Sequence, residues 1–451
     1  SIAYPFSRFP VFVMSNSSDV VVTGVGPVTA IGIGNDDFWV SLLAGRKAIG
    51  SLEVRDDGGP KPPPNWQDLP MAGAWLGAPI VGFDGAQFVR PRKAMKVMGR
   101  ELQTAFAAAS FAMAQAAMEP AISDGAIEVD RIATVFGSQM FYGPVSELRD
   151  AVQRSRDAEG NYQVSLFGDA AMRDIIPLWM LKYLPNMPAC HVGIAVGATG
   201  ANNTIVSGDV SSTAALIESL GVLSRGIADI VVCGGSGTQL DATRMVYRGD
   251  HPFPDVATPI DCSSRPHTLQ SRGIVGGEGA AAVVLEKAEK AQRRGAAALA
   301  VIAGSASRFA SVACGGRGSS GSICLAIQAA LAQAQLSAND IGLVISHGTG
   351  DPLRDAAEKV ALDRELPSVP LIMPIGSLGH LGAANGAVYL VIAVLAIQNR
   401  IIPPSFLNGQ PYSDWQARFS HSPRSLTKPA VLVLTHTSQG VANAVILRSP
   451  A

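Results

Sequence analysis

Charge is scarce in this chain. Only 16% of its 451 residues are charged, and the formal net charge is −1. A surface so balanced has no global field to gather nucleic acid or an anionic membrane. Paired cysteines are missing as well: Cys190, Cys233, Cys262, Cys314 and Cys324 are scattered, with no CxxC spacing. This argues against a disulfide framework and for reduced thiols in a cytoplasmic protein. No apolar run approaches the length that crosses a bilayer. The opening SIAYPFSRFPVFVM lacks the continuous apolar core of a secretory signal, and Met14 is a candidate start. The GVGPVTAIG stretch at 24–32 lacks the GxGxxG spacing of a dinucleotide loop, and no suitable acid follows it.

What remains is a large apolar chain. Apolar residues make up 47%, glycine occurs 47 times, and alanine comes in runs, the profile of a tightly packed α/β protein. Residues 19–26 (DVVVTGVG) read as a buried strand ending in glycines. Residues 100–118 have the small-residue content of a buried helix. Further strands are expected at 230–235 and 280–286, and a Lys, Arg and Ala-rich helix at 287–295. A second cycle opens near Leu299 with a strand, then a helix at 324–334 and a strand at 342–347, with the final strand at 430–435. Alternating strand and helix predicts parallel sheets covered on both faces. The division expected is a flexible extension at 1–18, one half over 19–298 and a second over 299–451. Ser51–Pro70, with its run of prolines, reads as a surface loop.

Three segments carry chemistry. The stretch NMPACHVGIAVGATGANNTIVSG at 186–208 runs into Asp209, which opens a helix expected over 210–223. SHGTGDPLRD spans 346–355, and GHLGAANG spans 379–386. RKAMKVMGRELQTA (92–105), FGSQMFYG (136–143), SRP (264–266) and GGEGAAAVVLEK (276–287) support them. Together, from about Asp19 to Leu447, they resemble the β-ketoacyl-ACP synthases, the condensing enzymes of fatty acid and polyketide synthesis. The resemblance implies a thiolase-like α/β fold of two similar halves, with mixed sheets layered between helices (αβαβα), built as a dimer. Its partners would be acyl carrier protein and either a second copy or a Cys-containing ketosynthase. No cofactor or metal is expected, because phosphopantetheine arrives on the carrier protein.

By the same resemblance, His347 and His380 are the histidines that promote decarboxylation and bind the developing enolate oxygen. Asp209 takes the place of the nucleophilic cysteine, whose thiolate a helix N-terminus stabilises. Thr349 keeps its family position in the substrate-binding loop, whereas Asp351 replaces a threonine that helps hold phosphopantetheine. Gln439 stands at a gating phenylalanine, with His436 nearby, and Asn443 matches a family asparagine. The lysine before the GH turn is replaced by Ile375 or Gly376. Arg92, Lys93 and Lys96, with Arg90, form a basic run that falls where members of that family receive carrier protein.

Several readings of Asp209 compete. It could simply cap its helix. It could accompany decarboxylation of malonyl-ACP, if protonated or paired with a histidinium. It could activate water against a thioester, or join His347 and His380 in a two-His, one-carboxylate metal site. Loss of nucleophile, lysine and gate together resembles chain-length factors, non-condensing relatives that pair with an active synthase.

Overall fold

The computed structural model describes residues 19–249, 251–312 and 316–450, so the expected 1–18 extension and Cys314 lie outside it. Ten strands make the backbone of one sheet: β1 (Val20–Thr29), β2 (Ile132–Gly137), β3 (Asn202–Ile205), β4 (Ile230–Thr238), β5 (Gly276–Lys287), β6 (Ala300–Phe309), β7 (Ile341–Ile345), β8 (Leu371–Ile372), β9 (Ala430–His436) and β10 (Val441–Arg448). The first five lie in the order β3-β2-β4-β5-β1 and the last five in the order β8-β7-β9-β10-β6. Adding five to each label turns one order into the other. The duplication unreadable residue by residue is plain in the topology. The halves join where Val20–Val22 of β1 pair with Ala300–Ile302 of β6.

The sheet is mixed, as the family resemblance implies, which corrects the parallel reading of the strand and helix alternation. β2 runs parallel to β3 and β4, and β7 to β8 and β9, because helices cross between them. β4–β5, β5–β1, β9–β10 and β10–β6 are antiparallel. β10 also corrects the reading of 430–435 as the final strand. The short turn from Thr437 to Gly440, with Gly440 at φ 98°, can join only antiparallel neighbours.

The main helices are α1 (Arg100–Gln115), α2 (Met187–Ala195), α3 (Ser211–Ser224), α4 (Ser320–Ala334), α5 (Pro352–Glu365) and α6 (Asn385–Asn399). Strand alternation sets the layers. On β4, Val231 and Cys233 face a central core with α3 and α6, while Ile230 and Val232 face an outer core with α1. On β9, Val431 and Val433 face the same centre, and Leu432 and Leu434 face α4 and α5. Five layers result, helix, half-sheet, helix, half-sheet, helix.

The GVG motif has a packing purpose. β1 continues to Thr29, so Gly24 and Gly26 lie inside the strand and do not end it. A Cβ on either would sit about 2.0 or 2.2 Å from the carbonyl oxygens of Ala112 and Ala108 on α1. Only glycine lets strand and helix approach so closely. The apolar stretch Gly382–Asn399 corrects another expectation, since it is long and apolar enough to cross a membrane. It is 89% buried here, between the two half-sheets, as a core helix.

Candidate active site

Asp209 lies in a single 3-10 turn, Gly208–Val210, just ahead of α3. It does not cap that helix. Ser211 closes the turn instead, its hydroxyl accepting from Ser207 N (2.9 Å) and donating to Gly208 O (2.6 Å). The Asp209 carboxylate points the other way, into the protein, and the residue is 8% exposed.

Its partner is an arginine. Arg354 Nη2 donates to Asp209 Oδ2 at 2.8 Å and to the His436 carbonyl at 2.6 Å. The same oxygen is faced by His380 Nε2 at 3.4 Å and by His347 Nε2 at 3.8 Å. Gly382 N donates to His380 Nδ1 (3.3 Å), and the Asn385 amide nitrogen lies 3.3 Å from His380 Nε2. Burial pushes the Asp209 carboxyl up, but His380 and Arg354 more than offset it and hold it well below the usual carboxylate range. Asp209 is therefore an anion neutralised by a guanidinium. This disfavours the protonated form of Asp209 considered from the sequence.

His347 leaves β7 and is fully buried, with no hydrogen-bond partner for either ring nitrogen among the described residues. Burial drives it down to about 3, so the ring is neutral. His251, edge-on to His380 with centroids 5.6 Å apart, is likewise pushed by burial to about 3.

A second buried carboxylate lies behind the first. Glu358, four residues after Arg354 on α5, shares its buried face. It accepts from the Ser346 hydroxyl (2.7 Å) and His347 N (3.1 Å), and it faces His436 Nε2 (3.1 Å) and His267 Nε2 (3.4 Å). Burial raises Glu358, but His267 and His436 bring it well below its ordinary range. His436 stacks edge-on to His347 with centroids 5.0 Å apart, so the histidines and carboxylates form one continuous cluster. Sequence reasoning singled out neither Arg354 nor Glu358. Their signal was two charged residues at helical spacing, directly after a loop whose other members were already under suspicion.

The other candidates are placed variously. Thr349 is buried, with its N–H donating to Asp355 Oδ1 (2.7 Å) and its hydroxyl accepting from Asp351 N (3.2 Å). Asp351 caps α5 through Leu353 N (3.0 Å) and pairs with Arg317 at 3.1 Å. Asn443 on β10 braces the start of α3 through the Thr213 hydroxyl at 2.9 Å. Gln439 is exposed in the β9–β10 turn. Arg92, Lys93 and Lys96 are exposed on the 3-10 segment Arg92–Val97.

Asp209, His347 and His380 bring one ligand atom each within 4.8 Å of one another. The donor set nevertheless suits a cation poorly, because the Arg354 guanidinium already holds the oxygen both imidazoles face. Space is short too. A pocket beside His251 and Gly276 holds about 10 Å³, scarcely one water. Clefts of about 410 Å³, beside Glu101 and Tyr183, and about 370 Å³, beside Cys262, are not lined by Asp209, His347 or His380.

Comparison with known proteins agrees with this architecture. Residues 17–291 match the family described as "Beta-ketoacyl synthase, N-terminal domain", and residues 299–408 its C-terminal domain. The granaticin polyketide putative β-ketoacyl synthase 1 of Streptomyces violaceoruber is 30% identical over 405 residues, covering 86% of this chain and 87% of that protein. The tetracenomycin polyketide synthase ketoacyl synthase beta subunit of Streptomyces glaucescens is 28% identical over 440 residues, 96% of this chain and 99% of that one. Among solved structures, the ishigamide ketosynthase/chain length factor superposes with a TM-score of 0.78 at 20% identity, covering 96% of this chain and 100% of that one. A thiolase-like scaffold, paired histidines in its glycine-flanked loops and a carboxylate where a thiol would be expected are thus found together, and the chain belongs to the β-ketoacyl synthase family of fatty acid and polyketide biosynthesis.

Proposed function

We propose that this chain is the non-condensing partner of a Cys-containing ketosynthase, acting on chains borne by acyl carrier protein in the manner of a chain-length factor. One observation carries the reading: Asp209 Oδ2 is bound to Arg354 and faces both imidazole Nε2 atoms. A carboxylate so held is no substitute for a thiolate, which must take up an acyl group and release it again. It also fills the acceptor position between the histidines, where a malonyl carboxylate or an enolate oxygen would need to bind. A second anion there meets like charge in a buried space. Retention of His347 and His380 then needs no activity of their own, because they line the pocket that Asp209 fills. Decarboxylation of malonyl-ACP and thioester hydrolysis by these histidines are the readings this occupancy disfavours.

Two surfaces support a partner role. The outer edge of β3 has no neighbouring strand among the described residues, and nearby Ile194 and Val206 are well exposed. An open edge with apolar flanks invites pairing with another chain. Arg92, Lys93 and Lys96 offer positive charge to an acidic carrier protein, which would deliver phosphopantetheine without a resident cofactor.

The test is reconstitution. Mixed with a Cys-containing ketosynthase, the chain should form a stable complex and alter product length, while alone it should make no product. Condensation by the isolated chain, or an unchanged product spectrum with no complex, would overturn the proposal.

A further inference from the structure

Glu101 is an acid without a base. It lies in the first turn of α1, is 9% exposed, and lines the cleft of about 410 Å³. Its carboxyl has no side-chain donor among the described residues, and only its own N–H faces it. The other acids of that lining are provided for. Asp57 pairs with Arg55 at 2.6 Å, Glu278 with Arg100 at 2.9 Å and Glu147 with Lys182 at 3.1 Å. Asp241 accepts from Arg244 N at 2.8 Å and meets the Arg244 guanidinium at 3.5 Å. A buried carboxylate is ordinarily paired, because its charge is costly to take out of water without a counter-charge. Among the described residues, Glu101 is the one acid of this lining with no cation in contact.

The carboxyl opens on the cleft. Gly99 also lines it and has no side chain to cover the acid; a Cβ there would lie 3.6 Å from Glu101 Oε2. Met98, Tyr142 and Tyr183 supply apolar wall, and the Tyr183 hydroxyl is fixed by donating to Glu147 at 2.7 Å. The volume suits a small molecule. Burial pushes the Glu101 carboxyl up to about 7; of the charged groups facing it, Asp241 and Glu278 add to that rise and Arg244 opposes it. Without a cation in contact, the ionised form is therefore disfavoured near neutrality. A positively charged N–H donor would both pair the charge and satisfy the acceptor.

We propose that this cleft is a binding site for a small organic cation bearing a primary ammonium. The ammonium N–H groups donate to the Glu101 carboxylate, and Met98, Tyr142 and Tyr183 cover the hydrocarbon body of the ligand. A quaternary ammonium carries the charge but no N–H, so it leaves the carboxylate without its hydrogen bond. Asp209, His347 and His380 are not part of this lining, and the site stands independently of the partner role.

The test is calorimetric titration of the full chain with phenethylammonium and with its N,N,N-trimethyl analogue. At about pH 8 phenethylammonium should bind saturably, about tenfold more tightly than the analogue. Glu101→Gln should weaken its binding about tenfold. Lowering the pH to about 6 protonates Glu101 while the amine stays charged, so affinity should again fall about tenfold. No saturable binding, equal affinity for the two probes, or unchanged affinity in a folded Glu101→Gln variant would overturn the proposal. Should Glu101→Gln fail to fold, the native protein decides: equal affinity at the two pH values would overturn it.

Discussion

Asp209 and Glu358 are buried carboxylates in one cluster, yet they are neutralised by different means. Asp209 has a guanidinium at 2.8 Å, which stays charged at any pH the fold survives. Glu358 has no lysine or arginine in hydrogen-bond contact among the described residues; two imidazoles and a hydroxyl hold it. One charge is held by a guanidinium, the other by two imidazoles and a hydroxyl. The lysine missing before the GH turn belongs to this contrast, because at Ile375 a buried aliphatic side chain stands where an ammonium would be expected. The Asp209–Arg354 pair should accordingly be strong, and the Glu358 end should respond to pH through His267.

The largest effect should come from breaking the fixed pair. Arg354→Met leaves a buried, uncompensated carboxylate and should cost about 3–5 kcal/mol in denaturant unfolding. Adding Asp209→Asn to it should recover much of that loss. Strictly additive losses would mean the two residues are not coupled.

Acid titration separates the histidines from the pair. His347 and His251 fall to about 3 in the fold, so between there and the ordinary value near 6.5 the unfolded chain binds protons that the folded chain does not. Stability is then full above about 6.5 and falls as pH falls, by about 2 kcal/mol per histidine on reaching pH 5. His347→Gln should flatten that limb, as read from melting against pH. A limb of unchanged slope would remove His347 from the account.

On the alkaline side the sign reverses. Burial lowers His267, but Asp355 and Glu358 raise it overall. Its contribution is full below the ordinary histidine range and is lost as pH rises through its raised value. Glu358→Gln should weaken this alkaline loss, whereas Arg354→Met should leave it in place. The reverse pattern would overturn the division between the two carboxylates.

The smallest effect expected is at the surface. Reversing Lys93 and Lys96 to Glu should weaken carrier-protein binding about tenfold at low salt, and less as salt rises. Equal affinity at low salt would exclude this docking face.

Much of this was legible before the structure. The strand runs, the two glycine-flanked histidine loops and the aspartate at the helix mouth follow from local sequence, because each is written within ten residues or so. The antiparallel pairing was not legible, since β5 and β1 meet across 250 or more positions, as in the contact of Val20 with Lys287. Nor was the role of Asp209. As a residue at a helix start it looked like a cap, and only the fold brings Arg354, 145 positions away, against it. Charge compensation is a tertiary property, and motif reading saw the acid without its base.

The central claim is that Asp209 occupies the pocket between the histidines and leaves no catalysis there. Carbon dioxide release from carboxyl-labelled malonyl-ACP, measured with the pure chain, tests it most directly. No release above the protein-free rate is expected; turnover that depends on His347 and His380 would contradict it.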